Sequence, residues 1–331
     1  MSFIQSIEHR TWRFEETGHR ARPALLAVPR CAARGRRPNL RPVDGPGPRP
    51  LTAGMRGVFI GGVVAVLVAG FQLYVLSEET ERWFAWTIGS PLTAAFLGGW
   101  YWMALVLVAF GARETTWAPA RVPLPGVLAF MWTTLAATLL HLDLFHFDEG
   151  PTSARVAAWV WIVVYIVGPP GETFYYVRQL REPGVDRSSG QPLPAPFRIA
   201  TAVLGGGLVV LGVGLFVHPA WGQTVWPWPL TPLTARAIAA WLVGWGIVHI
   251  SAVVVDDWCA LRSATASLVV LVLLQVGALA RYGDEIAWER PVAVIYVATL
   301  VILVGGSAYG LVRSTGRSWS RPVDGLSRLP P

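Results

Sequence analysis

Eight apolar stretches, each close to the roughly 20 residues a helix needs to cross a bilayer, dominate this chain. They run approximately over 57–76, 91–110, 123–141, 156–175, 199–218, 237–255, 263–280 and 292–312, and most contain no charge. A helix in a soluble core is rarely this long and apolar on every face, so the segments read as transmembrane helices. Unpaired backbone groups are expensive in hydrocarbon, which favours helical spans. A membrane β-barrel would need alternating apolar and polar residues, and these runs lack that alternation. Composition agrees: 53% of the 331 residues are hydrophobic and 14% charged, against about 25% charged in soluble domains.

Charge then gives an orientation. All 27 basic residues are Arg; the N-terminal segment, the even-numbered loops and the C-terminal tail hold 22 of them, the odd-numbered loops 5. Arg excess marks the cytoplasmic side, so both termini are expected in the cytoplasm. Trp83, Trp86, Trp226, Trp228 and Trp288 fall in the outer loops, as interfacial aromatic belts would have them. The net charge of +7 does not point to nucleic acid. Before Met55 stand 10 Arg against 4 acids; the rest carries 17 Arg against 16 acids, almost balanced. The expected partner is the lipid bilayer, together with a small-molecule or lipid ligand; no nucleic acid is expected.

Shifting the chain by 141 residues superimposes one half on the other. Pro91-Leu92-Thr93-Ala94 falls on Pro232-Leu233-Thr234-Ala235, Trp100 on Trp241, Trp117 on Trp258, Arg121 on Arg262, Asp143 on Asp284, Phe147 on Trp288 and Asp148 on Glu289. The fold class this predicts is all-α integral membrane: eight transmembrane helices as a tandem, same-orientation duplication of a four-helix unit. An even number of crossings makes both copies run the same way, with a pseudo-twofold axis along the membrane normal, unlike inverted-repeat transporters. The first repeat covers 55–180 and the second 197–315. A polar, Pro- and Gly-rich cytoplasmic linker, 181–196, separates them, and a cytoplasmic tail, 316–331, follows.

Residues 1–54 differ from the rest, with seven Pro, 10 Arg and no long apolar run, so they are not an ordinary signal peptide. Two readings stay open: a disordered basic tail lying near anionic lipid, or translated upstream sequence ahead of a start at Met55.

The stretch Trp226-Pro227-Trp228-Pro229-Leu230-Thr231-Pro232-Leu233-Thr234-Ala235-Arg236, echoed at 86–95, resembles a signature of bacterial multipass membrane proteins. The resemblance implies a bacterial cytoplasmic membrane and no activity, cofactor or catalytic residue. Physically the motif reads as a helix start: Pro at the first helical position sacrifices no hydrogen bond, and Ser90 or Thr231 just before it can cap the helix. Arg236 has Ala95 as its counterpart, which leaves it free to meet an anionic headgroup or ligand.

Few polar residues lie where chemistry would need them. His249 sits about 20 Å below Arg236 along helix six at 1.5 Å per residue, on one face with Trp241 and Trp245. An ionisable group at that depth is a candidate ligand-binding residue; the alternative is a neutral His packed among Trp rings, and Val108 at the matching position favours that. An outer-face cluster comprises His141, Asp143, His146, Asp148 and Glu149, with His218, Asp284, Glu285 and Glu289 nearby. Such side chains suit a divalent metal, but the spacing fits solvated acidic loops equally, and no metal is assigned. On the inner side Glu114, Arg121, Asp256, Asp257 and Arg262 flank Trp117 and Trp258, a pattern that would fix short loops by salt bridges. Glu172, after Pro169-Pro170-Gly171, reads as the end of helix four, its carboxylate reaching the interface or coupling to protons. Gly57/Gly61, Gly205-Gly206-Gly207 and Gly306/Gly310 read as sites where helices approach closely.

Cys31 and Cys259 are too few for a disulfide framework or a four-cysteine zinc site. The motifs of ATP hydrolysis, zinc proteolysis, serine hydrolysis and dinucleotide binding are missing from the sequence. No cofactor is expected, and an enzyme is the lesser reading. Three functions stay open: a carrier-like protein for a small solute or lipid, a non-catalytic scaffold or accessory subunit, and a membrane-embedded enzyme acting on a lipid or quinone. The position of His249 separates the first two, since a carrier would place it on a cavity and a scaffold would pack it dry. An enzyme would need Arg236 and the outer acids in one pocket.

Overall fold

The computed structural model describes residues 46–186 and 191–315. The N-terminal segment up to residue 45 with its Cys31, linker residues 187–190 and the tail from 316 lie outside the described residues. The molecule is 75% helix, with no strand among the described residues. Among the described residues seven helices are long and apolar enough to cross a membrane: α1 (Ala53–Tyr74), α2 (Pro91–Arg113), α4 (Thr152–Leu180), α5 (Ala195–Val217), α6 (Pro232–Val255), α7 (Arg262–Tyr282) and α8 (Pro291–Thr315). The eighth apolar segment forms a shorter helix, α3 (Leu124–Leu139), of 16 residues. At 1.5 Å per residue it is about 24 Å long. Pro119 and Pro123 stop it from starting earlier, since proline cannot donate within a helix.

The proline starts of α2 and α6 form as their sequence dictates. Ser90 Oγ accepts the Thr93 N–H at 3.0 Å. Thr231 and Thr234 bond reciprocally, side chain to backbone, as a capping box. α4, in contrast, does not end at Glu172. It continues to Leu180 with Pro169 and Pro170 inside it, so Glu172 lies within the helix.

Burial sorts the long helices. The apolar stretches of α2, α6 and α7 are 78%, 61% and 50% buried, those of α1, α4, α5 and α8 only 17–22%. The first set forms the centre, and the second presents Val, Ile and Leu outward, as lipid-facing helices do. α1 packs on α2 and α5 on α6; α3 lies on α6 and α7 on α2; α4 lies on α3 and α8 on α7. α2 and α6 meet at the centre, where the Trp100 and Trp241 rings lie 5.7 Å apart.

Two backbones approach closely where α3 crosses α6. A side chain on Gly126 would overlap the Gly244 carbonyl, and one on Gly244 would come within 2.8 Å of the Gly126 carbonyl. Gly205 and Gly246 form a similar crossing of α5 with α6. Among the glycines singled out from sequence, Gly205 and Gly310 sit at such contacts, while Gly57, Gly61, Gly206, Gly207 and Gly306 have open space beside them.

Two loop tryptophans anchor the Arg-rich face. Trp117 is buried, and its backbone N–H donates to the Arg49 carbonyl at 2.9 Å; Trp258 is buried, and its backbone N–H donates to the Gln191 carbonyl at 3.1 Å. The segment entering α1 therefore belongs to the fold before Met55. Leu51 N–H donates to the Thr115 carbonyl, Gln179 exchanges side-chain bonds with Thr52 and Pro50, and Asp186 pairs with Arg49 and Arg121.

At the opposite, acidic face, Trp86, Trp226 and Trp228 do not lie out in an interfacial belt. All three are buried, and Trp228 Nε1 donates to Thr93 Oγ1 at 2.9 Å, tying the α5–α6 loop to the start of α2. The loops after α3 and α7 are held alike: His146 N–H donates to the Ala85 carbonyl and Ala287 N–H to the Pro227 carbonyl, both at 3.0 Å.

Candidate functional site

The first four helices do not close completely. Between α1 and α4 a crevice of about 1090 Å³ opens, with α2, α3 and α6 behind it. Its α4 wall is a helical stripe, Val156, Val160, Val163, Val167, Gly168 and Gly171; its α1 wall sets Gly61, Gly62, Ala65 and Ala69 among valines. The glycines and alanines remove side-chain volume here, while α1 and α4 touch at the Arg-rich end, where Gly54 lies against the Tyr175 ring. Along α4 the lining runs from Thr152 to Tyr175, about 35 Å at 1.5 Å per residue. That matches the roughly 30 Å hydrocarbon thickness of a bilayer.

Few polar groups interrupt this wall. Tyr101 and Tyr165 share a hydrogen bond of 2.9 Å between their hydroxyls, halfway along the crevice. Towards the acidic face Gln72 Nε2 donates to the Trp83 carbonyl at 2.7 Å, and Ser153 Oγ donates to the Arg82 carbonyl. Towards the Arg-rich face stands Glu172, 6% exposed. It lies inside α4, with eight further helical residues between it and the end of the helix.

Of the residues singled out as ligand candidates, Trp241 and Trp245 line the crevice. His249 and Arg236 lie elsewhere. His249 Nδ1 bonds the Trp245 carbonyl of its own helix at 2.9 Å, and its Cβ side faces Gly205 of α5. Arg236 Nη1 donates to His141 Nε2 at 2.6 Å and its Nε to the Phe216 carbonyl at 3.0 Å. Burial and the Arg236 guanidinium hold the His141 imidazole below the usual histidine range.

The outer acids do not gather around Arg236. Asp143, Asp148 and Glu149 are exposed. His146 bonds Thr87 Oγ1 and the Phe84 carbonyl. Glu285 serves α2 instead: its carboxylate accepts from Ser90 Oγ and from the Leu92 N–H, at a helix N-terminus where negative charge is favoured. Among the described residues no three His, Cys, Asp or Glu side chains lie close enough together to hold a metal ion.

On the Arg-rich face Arg121 pairs with Asp186 at 2.9 Å. Asp256 accepts from the Leu193 N–H and pairs with Arg198 at 3.2 Å. Asp257 Oδ1 accepts from the Cys259 N–H, and the Glu114 carbonyl accepts from Arg56. Arg262 is the first residue of α7. The bonded groups stitch loops to neighbouring segments.

The crevice itself carried only faint sequence signals: Glu172 inside an apolar span and the small residues of α1. Its back wall comes from helices distant in sequence, so no local pattern reports it. Compared with protein-family models, with curated proteins and with solved structures, the chain matches none.

Proposed function

We propose that this polytopic membrane protein is carrier-like and holds a lipid, or another hydrophobic small molecule, in the crevice between α1 and α4. One observation carries the reading: an apolar cleft as long as a bilayer is thick, lined by valines, glycines and alanines between α1 and α4. A cleft facing lipid on a membrane helix takes up what surrounds it, and an acyl or isoprenoid chain matches its chemistry.

The same reading includes eight crossings, a tandem duplication and both termini in the cytoplasm of a bacterial cell. The crossed pairing of helices supports the duplication. The third helix of each half packs on the second helix of the other, and the equivalent residues Trp100 and Trp241 meet each other. A twofold axis through the centre generates that pattern. The Arg bias supports the orientation.

A scaffold is the second reading, and His249 favours it, being packed against α5 rather than lining the crevice. The enzyme reading has less support, because Arg236 meets His141 and the acids stay apart. Purification from native membranes followed by lipid analysis tests the choice. The wild type is expected to retain a lipid at near-equimolar ratio. Gly61→Trp, which projects a ring into open crevice space, should at least halve it with thermal stability unchanged. Equal retention by both proteins would remove the crevice as the binding site and leave the scaffold.

A further inference from the structure

Glu172 is buried, at 6% exposure, and it lines the crevice close to the Arg-rich end. No Arg or His nitrogen among the described residues lies within 4.0 Å of its carboxylate, whereas Asp186 and Asp256 both have such partners. Its side chain makes no hydrogen bond with another described residue, while Tyr101 and Tyr165 in the same wall satisfy each other. The crevice lining as a whole is dominated by Val, Leu, Phe, Gly and Ala, and Tyr175 stands one turn further along α4. A carboxylate out of water is costly unless a cation and hydrogen-bond donors meet it. Among the described residues the protein supplies neither, and Glu172 lines the crevice.

We propose that this end of the crevice binds the ammonium group of a long-chain primary amine amphiphile, with Glu172 as its counter-ion and the chain lying along α4 towards Thr152. The assignment rests on the crevice reading and adds a headgroup to it. A primary ammonium carries the charge and three donors, which suits a carboxylate lacking both. A quaternary ammonium supplies charge without donors, and an alcohol supplies one donor without charge, so the three headgroups separate the two contributions. The apolar length beyond Glu172 requires a chain, so a short amine would bind weakly.

The test uses the full chain in detergent and a brominated long-chain alcohol, which quenches tryptophan fluorescence where it binds beside Trp161, Trp241 and Trp245. Octadecylamine is expected to displace this probe at about tenfold lower concentration than octadecanol, a difference of about 1.4 kcal/mol. Octadecyltrimethylammonium should fall between them. Glu172→Gln, nearly the same shape, should abolish the ratio while the brominated alcohol still binds. Equal displacement by amine and alcohol in the wild type overturns the headgroup assignment and leaves the crevice standing. A ratio that survives Glu172→Gln also overturns it. Absence of quenching by the brominated alcohol overturns the crevice reading itself. The wild-type ratio needs no variant, so the proposal stays open to refutation even if Glu172→Gln fails to fold.

Discussion

The first four helices and the last four secure their loop tryptophans in the same way, yet they differ in what surrounds them. Trp117 and Trp258 each take a backbone carbonyl from the segment leading into the first helix of their half. Around Trp258 the space between α5 and α8 is filled by rings: Phe197 at 4.8 Å and Tyr309 at 5.8 Å, with Phe197 and Tyr309 themselves 6.0 Å apart. Around Trp117 stand Met55, Phe59, Val108 and Leu124, a small cluster separate from the main core, with the Tyr176 ring of α4 6.0 Å away. Three of these, Phe59, Val108 and Leu124, also line the crevice. Each tryptophan thus meets a ring from the last long helix of its half, but the Trp258 rings also pack on one another, whereas the Trp117 cluster stands at the foot of the crevice. The two halves thus share an anchor for their loop tryptophans and differ in how the space beside it is filled.

The largest effect should come from the tryptophans themselves. Trp117→Ala and Trp258→Ala each remove a fully buried ring, at about 3–5 kcal/mol. Thermal unfolding in detergent should show comparable losses for both. Lipid retention at a temperature where both remain folded should separate them, falling for Trp117→Ala and holding for Trp258→Ala. If both variants lost lipid alike, the contrast between the halves would be wrong.

A smaller loss is expected where α3 crosses α6. Gly244→Leu drives a side chain into the Gly126 backbone and the Phe130 side chain. Overpacking of this kind costs about 1–3 kcal/mol, and more when backbone must move. Gly206→Leu, on an open side of α5, should leave the melting temperature unchanged. If the two substitutions proved equally harmless, α3 would not be clamped to α6, and the crossed pairing of the halves would lose its main joint.

What the sequence made legible follows from how local each cause is. Helix positions emerge from apolar length, and helix starts from Ser90-Pro91 and Thr231-Pro232, because capping involves neighbours three residues apart. The loop tryptophans misled for the opposite reason. Trp86, Trp226 and Trp228 look interfacial by position, but the fold buries all three, and for Trp226 and Trp228 the covering residues, Thr93 and Phe96, come from the other half of the chain. Gly126 and Gly244 carry no spacing motif, since each is small for a helix more than a hundred residues away. Glu285, one of several acids in a polar loop, becomes a helix cap only once α7 delivers it to α2.

That cap gives the smallest and most specific test of the comparison between halves. Thr231 closes its box with Thr234 inside α6, whereas Ser90 bonds both Thr93 and the carboxylate of Glu285 from the other half. Loss of a capping hydroxyl costs about 1 kcal/mol, and Thr231→Ala should cost about that. Ser90→Ala also removes a bond to a charged partner, where about 1.5–3 kcal/mol is typical, although the Leu92 N–H still holds Glu285. The melting temperature should therefore fall further for Ser90→Ala than for Thr231→Ala. In a double-mutant cycle Ser90→Ala should couple to Glu285→Gln, and Thr231→Ala should not. Coupling in neither case would mean that Glu285 rests near α2 without holding it, and the two helix starts would then be equivalent despite their different partners.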